Sequence, residues 1–194
     1  LPLPGIGCIV TEINVQSNKF FMSFIIWMTG LPCSGKSTIA RKLREHFPDL
    51  EVLDGDDINK WLKPDGWSRE SRITNNKRVA HIAKLLLQHN ISVCVSVVSP
   101  YSEGRKTARE IINDNRFIET YIKCKLEVCE SRDVKGMYKR ARSGEIVNFT
   151  GVNGEYETPS NPDLIIDTEK SSLVEEVIKI IQYLKSRELV SSTN

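Results

Sequence analysis

Gly30-Leu31-Pro32-Cys33-Ser34-Gly35-Lys36-Ser37-Thr38 decides the reading of this chain. It fits G-x-x-x-x-G-K-[ST], follows the apolar run Phe24-Ile25-Ile26-Trp27-Met28, and precedes an amphipathic segment. Glycines are required where backbone wraps closely around phosphate, so that N–H groups converge on the anion at the positive end of a helix. In such a loop Lys36 reaches the β- and γ-phosphates and Ser37 holds Mg²⁺. A plain Gly/Ser/Pro turn would not need the strand before it and the helix after it.

The strands and helices around that loop alternate. Phe24 to Thr29 reads as a buried parallel strand, and Ile39, Leu43 and Phe47 stripe a helix that ends before Pro48. Glu51 to Asp54 is a second strand, Arg69 to His89 a long helix with Asn90 as its C-terminal cap, and Ile91 to Val98 a valine-rich central strand. A helix from Ser102 to Asn113, a strand from Phe117 to Cys124, a short helix from Leu126 to Arg132, a strand Leu164 to Asp167 and a last helix striped by Val174, Val177, Ile178, Ile181 and Leu184 follow. Ile9 to Val15 has the alternation of a short edge strand. The pattern calls for an α/β fold in three layers, a parallel sheet with helices on both faces. Residues 133–160 are polar, basic and without a strong period, too long for a connector, and are read as a functional lid.

Ligands of such sheets bind beyond the carboxyl ends of the strands. The polar clusters after Thr29, Leu53 and Val98 all fall at that edge. Asp54 is placed to hold Mg²⁺ through water or to accept a proton from an attacking hydroxyl, and Asp56 to orient the acceptor. Strand-end carboxylates also cap helices, and Asp57 is read as the cap of a helix starting at Ile58. Arg132 and Lys135 are the cations chosen from the lid to face moving phosphoryl charge; Lys139, Arg140 and Arg142 are read as solvated surface. Trp67 and Phe149 stand in polar loops, where an aromatic is hard to explain as core, and are read as stacking on a nucleobase.

Composition sets limits on partners. A net charge of +2 over 194 residues argues against nucleic acid or a membrane surface as partner. The run from Phe20 to Met28 is too short to cross a bilayer. Five cysteines, Cys8, Cys33, Cys94, Cys124 and Cys129, include no C-x-x-C pair and are read as reduced thiols of a cytoplasmic protein. His46, His81 and His89 lack ligand spacing. Residues 1–21 are expected to be an N-terminal extension, whether an upstream segment, a cloning remnant or the end of a preceding domain, and 22–194 one kinase domain.

Beyond the phosphate loop, the chain resembles the adenylyl-sulfate kinase family. The resemblance rests on Ile26-Trp27-Met28-Thr29-Gly30-Leu31, Leu53-Asp54-Gly55-Asp56-Asp57-Ile58, Gly66-Trp67-Ser68-Arg69, Ser99-Pro100-Tyr101, Arg132-Asp133-Val134-Lys135-Gly136-Met137-Tyr138 and Asn148-Phe149-Thr150-Gly151. Tyr156-Glu157-Thr158-Pro159 and Asn161-Pro162-Asp163 extend it over roughly residues 24–185. The lid signatures R-D-x-K-G-x-Y and F-T-G are the specific part. The resemblance implies a P-loop kinase fold with a five-stranded parallel sheet and a lid. It further implies MgATP-dependent phosphorylation of the ribose 3′-hydroxyl of adenylyl sulfate, giving 3′-phosphoadenylyl sulfate and ADP, by a homodimer, with a sulfurylase as fused or separate partner.

Position by position, the resemblance puts the loop from Gly30 through Leu31, Pro32, Cys33, Ser34, Gly35, Lys36 and Ser37 to Thr38, together with Arg132, at ATP. It puts Asp56, Asn59, Trp67, Arg72, Asn75, Val98, Ser99, Lys135 and Phe149 at adenylyl sulfate, with Trp67 and Phe149 sandwiching the adenine. Ser99 matches the serine described in the family as a phosphoserine intermediate, although in-line transfer needs no covalent step and a strand-end serine can simply bond substrate or backbone. Three positions depart from the family pattern: Trp67 replaces Phe and keeps stacking, Asn59 replaces Arg, and Ser102 replaces Arg or Lys while Arg105 matches the next arginine. A lost charge-assisted hydrogen bond is worth ~1.5–3 kcal/mol, so Asn59 and Ser102 motivate a second reading, a kinase of the same build with another nucleotide or a small alcohol as acceptor. A third reading is a catalytically silent nucleotide-binding module, against which intact Lys36, Ser37, Asp54 and Lys135 count.

Overall fold

β1 (Ile25–Thr29) runs through the middle of the molecule with every residue buried, because its two faces serve two different cores. Ile26 and Met28, with Phe24 just before the strand, point into a cluster with Ile39, Ala40 and Leu43 of α1 (Lys36–His46) and Val177, Ile180 and Leu184 of α7 (Leu173–Ser186). Ile25 and Trp27 point the other way, toward Val79, Ala80 and Ala83 of α3 (Arg69–Gln88) and Ala108 and Ile112 of α4 (Ser102–Ile112). Alternate side chains of a strand face opposite ways, so one apolar run with no polar interruption demands helices on both sides. The computed structural model describes residues 22–64 and 66–190. Residues 1–21, and with them Cys8 and the expected strand from Ile9 to Val15, lie outside the described residues.

Five strands form one parallel sheet in the order β2 (Glu51–Asp54), β3 (Val93–Ser96), β1, β4 (Phe117–Lys123), β5 (Leu164–Asp167). Its register decides where chemistry collects. Ser96 of β3 stands opposite both Met28 of β1 and Asp54 of β2, so these strands end level and their following loops meet at one edge. Among the described residues no helix is long and apolar enough to cross a membrane.

Local chemistry fixes the helix ends. The Ser68 hydroxyl caps α3 by accepting from Ser71 N, and the 20-residue helix closes on Asn90 at φ 60, a left-handed position asparagine tolerates. Ser172 and Glu175 form a reciprocal capping box on α7.

Two elements differ from the sequence reading. α2 (Gly55–Leu62) starts directly after β2, and its cap is Asp54, whose side chain accepts from Asp56 N; Asp57 lies inside the first turn and pairs with Lys60. The strand-end carboxylate was already in place to cap, so the helix begins a turn earlier than the apolar pattern indicates. The segment after α5 (Leu126–Arg132) contains α6 (Met137–Arg142), whose first N–H groups are capped by both carboxylate oxygens of Asp133, 3.0 Å from Tyr138 N and 3.0 Å from Lys139 N. Six residues are too few for a helical period to register in the sequence.

Candidate active site

Gly30 comes so close to β4 that a Cβ there would lie 2.5 Å from the Ile122 carbonyl oxygen, which no side chain permits. The loop then turns through Cys33 at φ 61 and Gly35 at φ 108 into α1. Lys36 is 7% exposed, and its ammonium donates to Gly30 O at 2.9 Å, Leu31 O at 2.7 Å and Ser34 Oγ at 3.3 Å. All three partners are neutral, so burial dominates and pushes the ammonium down to about 8, against smaller opposing effects of neighbours that include Asp54. Arg132 leans over the same loop, donating to Cys33 O at 3.4 Å and Thr168 O at 3.1 Å, while the Thr168 hydroxyl holds Ser34 O at 3.0 Å.

Asp54 divides its two oxygens. Oδ1 caps α2, and Oδ2 receives the Ser37 hydroxyl at 2.5 Å, with Ser96 Oγ 3.3 Å from Ser37 Oγ. A serine hydroxyl and a carboxylate, both hard oxygen donors, meet beside the phosphate loop. That donor set fits Mg²⁺, which takes one or two carboxylates and completes its shell with water and phosphate oxygens.

On the far side of the loop, β3 ends in backbone that holds the loop in place. The Val98 carbonyl oxygen lies 2.8 Å from Thr29 Oγ1 and accepts from Gly30 N at 3.3 Å. Ser99 is 2% exposed, sits at φ 43, accepts from the Trp27 indole N–H at 3.1 Å and lies 3.3 Å from Asn76 Oδ1. Its hydroxyl is committed to the core on both sides.

The remaining predicted residues gather next to this edge. The Lys135 ammonium donates to the Asp56 carboxylate, bridging the segment after α5 to α2. Arg72 donates to Trp67 O at 3.3 Å and Asn148 O at 3.0 Å, with its guanidinium 5.0 Å from the Trp67 ring centre. Asn75 Nδ2 donates to Asn59 Oδ1 at 3.3 Å, and Asn75 Oδ1 is buried without a hydrogen-bond partner among the described residues. Trp67 and Phe149 have ring centres 6.3 Å apart, tilted by 39°, and Trp67 and Asn148 line an open cavity of about 420 Å³. Phe149 is 2% exposed and part of a small apolar cluster with Tyr138, Cys129 and Leu126, so it also has the core role that its polar sequence context conceals.

The family model described as adenylylsulphate kinase matches residues 22–167. The chain belongs to the adenylyl-sulfate kinase family. The adenylyl-sulfate kinase of Staphylococcus haemolyticus is 42% identical to it over 93% of this chain and 94% of that enzyme, and the probable adenylyl-sulfate kinase of Halalkalibacterium halodurans 44% over 92% and 91%. The APS kinase CysC of Mycobacterium tuberculosis, solved with AMPPNP and APS, superposes with a TM-score of 0.80 at 36% identity, covering 84% of this chain and 98% of that one. A shikimate kinase from Acinetobacter baumannii, at 17% identity and a TM-score of 0.57, shares the P-loop kinase fold alone.

Within this adenylyl-sulfate kinase family member, the sequence reading missed the residues that brace the site from behind. Glu157 accepts from Ser102 N at 2.7 Å, Ser102 Oγ at 2.5 Å and Arg69 Nη1 at 2.8 Å, joining the N-termini of α3 and α4. The Ser102 hydrogen bonds, then Arg69, hold its carboxyl down at about 2. Arg105 is 3% exposed and donates to Ser99 O at 2.8 Å and Glu157 O at 2.7 Å while pairing with Glu119 at 3.1 Å. Ser102, where the family has a cation, thus serves as a neutral donor to Glu157. The only sequence signal for this brace was the Tyr156-Glu157-Thr158-Pro159 match, because its partners lie about 50 to 90 positions away.

Proposed function

We propose that this chain transfers the γ-phosphoryl group of ATP to the 3′-hydroxyl of adenylyl sulfate, giving 3′-phosphoadenylyl sulfate and ADP. The observation that carries the acceptor is the facing pair Trp67 and Phe149 beside the phosphate loop. A base held between two rings needs about 7 Å, twice the ~3.5 Å carbon contact distance. The 6.3 Å separation is within 1 Å of that, so a small swing of exposed Trp67 against buried Phe149 admits the adenine.

The donor half follows from the loop. Backbone N–H groups and Lys36 hold the phosphates, and Arg132 adds a cation at the loop's outer side. Ser37 and Asp54 are the residues that would hold Mg²⁺, which supplies charge neutralisation on the β- and γ-oxygens when bound. The hydroxyl oxygen of the acceptor bonds to the γ-phosphorus as the bond from that phosphorus to the β–γ bridging oxygen breaks. The hydroxyl proton passes to Asp54, and Asp56 orients the hydroxyl. The 133–160 segment, anchored by Lys135 to Asp56 and by Arg72 to Asn148 O, is the lid that excludes water.

Release of ADP measured with adenylyl sulfate and with a panel of other nucleotides and small alcohols tests the reading. Turnover is expected with adenylyl sulfate; its absence, or faster turnover of another acceptor, overturns it. Trp67→Ala removes one stacking surface, worth ~1–3 kcal/mol, and should raise the acceptor's KM by about 5- to 150-fold at this cost with little change in the KM for ATP.

A further inference from the structure

Three contacts join the phosphate loop to the segment that carries Phe149. Tyr138 is fully buried, and its hydroxyl donates to the Pro32 carbonyl in the loop at 2.9 Å. Leu31 and Cys33 of the loop pack in the same apolar cluster as Tyr138 and Phe149. Gly151 lies so near that a Cβ there would stand 3.1 Å from Leu31 Cδ2. Beyond Tyr138 the contact continues: its ring meets Phe149 edge-on with centres 5.0 Å apart at 83°, and Phe149 faces Trp67.

The Tyr138 hydroxyl does more than fill space. A peptide unit is planar and trans, so its C=O and N–H point in opposite directions. Holding the Pro32 carbonyl at Tyr138 therefore turns the Cys33 N–H away from Tyr138. Cys33 is left-handed at φ 61, a conformation costing a non-glycine residue roughly 1–2 kcal/mol, so the loop needs an outside hold to keep its N–H groups arranged for phosphate. Tyr138 is in turn fixed by Asp133, which caps its backbone N–H. Burial holds its phenol above the usual range, so it remains a donor throughout the working pH range.

We infer that Tyr138 is a positioning residue that couples the two substrate sites: phosphate in the loop and an adenosine on Phe149 both favour the same Tyr138–Pro32 contact, and each ligand tightens the other. This rests on the donor and acceptor assignment above. Coupling of this kind is reciprocal, so the factor by which AMPPNP tightens adenylyl sulfate must equal the factor for the converse.

The test is titration calorimetry of the full chain with Mg²⁺: adenylyl sulfate with and without saturating AMPPNP, and AMPPNP with and without adenylyl sulfate, for the wild type and Tyr138→Phe. The variant keeps the ring, its packing and its contact with Phe149. The expected result is a wild-type coupling factor well above one that falls about 3- to 10-fold in Tyr138→Phe, the worth of one hydrogen bond, with the two affinities measured singly changed much less. A tyrosine that merely stabilised the fold would lower the melting temperature and weaken both affinities without altering their ratio. A coupling factor of one in the wild type, or an unchanged factor in Tyr138→Phe, overturns the inference. A wild type that binds AMPPNP but not adenylyl sulfate overturns the acceptor assignment and the coupling together.

Discussion

Lys36 offers the sharpest quantitative test of the donor site. Its ammonium has neutral hydrogen-bond partners only, and burial lowers it from 10.5 to about 8. Only the charged form can meet a triphosphate, so kcat/KM for ATP follows the protonated fraction in the free enzyme. At pH 9.5 a group titrating at 8 is about 3% protonated and one at 10.5 about 90%. Raising the pH from 7 to 9.5 should therefore cut kcat/KM for ATP about 30-fold, whereas an ordinary lysine would cost about 1.1-fold. The value of kcat at saturating ATP should stay level further up the scale, because bound phosphates stabilise the ammonium. The assay is the initial rate of ADP release at limiting ATP, with saturating acceptor and constant ionic strength, in half-unit steps of pH. Lys36→Arg supplies the control: its guanidinium stays charged throughout, so whatever activity remains should lack the alkaline limb. A wild-type profile flat to pH 9.5, or the same limb in Lys36→Arg, would refute the reasoning.

Two further substitutions separate chemistry from architecture. Ser99→Ala leaves the Trp27 N–H and Asn76 Oδ1 without a buried partner, so it should cost about 1–3 kcal/mol of stability while turnover persists; a variant with native stability and a thousandfold loss of kcat would instead make the hydroxyl a participant in the reaction. Glu157→Gln weakens the brace between α3 and α4, with an expected loss of roughly 1–2 kcal/mol at pH 7 after allowing for solvent screening of the carboxylate, or about 3–6 °C in Tm. The sign in acid follows from the depressed pKa: the carboxylate's contribution is complete above its unfolded value near 4.5 and is lost as pH falls through about 2. The gap between wild type and variant should accordingly narrow below pH 4.5, and a gap independent of pH would remove the charge from the explanation.

The donor site was legible in the sequence because its chemistry is local. Nine consecutive residues, a strand before and a helix after determine where phosphate goes, and the apolar runs placed the five strands within two residues of their ends. What stayed hidden depends on tertiary partners or on short elements. The cap of α2 could be assigned to Asp57 as easily as to Asp54 until the strand end was seen to supply it. α6 is too short for a period, and Phe149 sits among polar neighbours in sequence yet packs under Tyr138 in space. Glu157 and Arg105 are ordinary charged residues by any local measure, and only the fold brings them to the loop after β3.

Asn59 shows what such assembly implies for the acceptor. With asparagine in place of the family's arginine, the side chain is a neutral partner to Asn75 and contributes no cation. Asn75 Oδ1 remains a buried acceptor that only a hydrogen-bond donor can satisfy. The amine of adenine and the hydroxyls of ribose are donors; a sulfate or phosphate at neutral pH is not. The Asn59–Asn75 side of the site therefore suits the nucleoside, and the anionic end of the acceptor is left to Lys135 and Arg72, both already joined to the acceptor side by Asp56, Trp67 and Asn148. On this division the substitution at Asn59 alters how tightly the acceptor is held more than which acceptor is chosen.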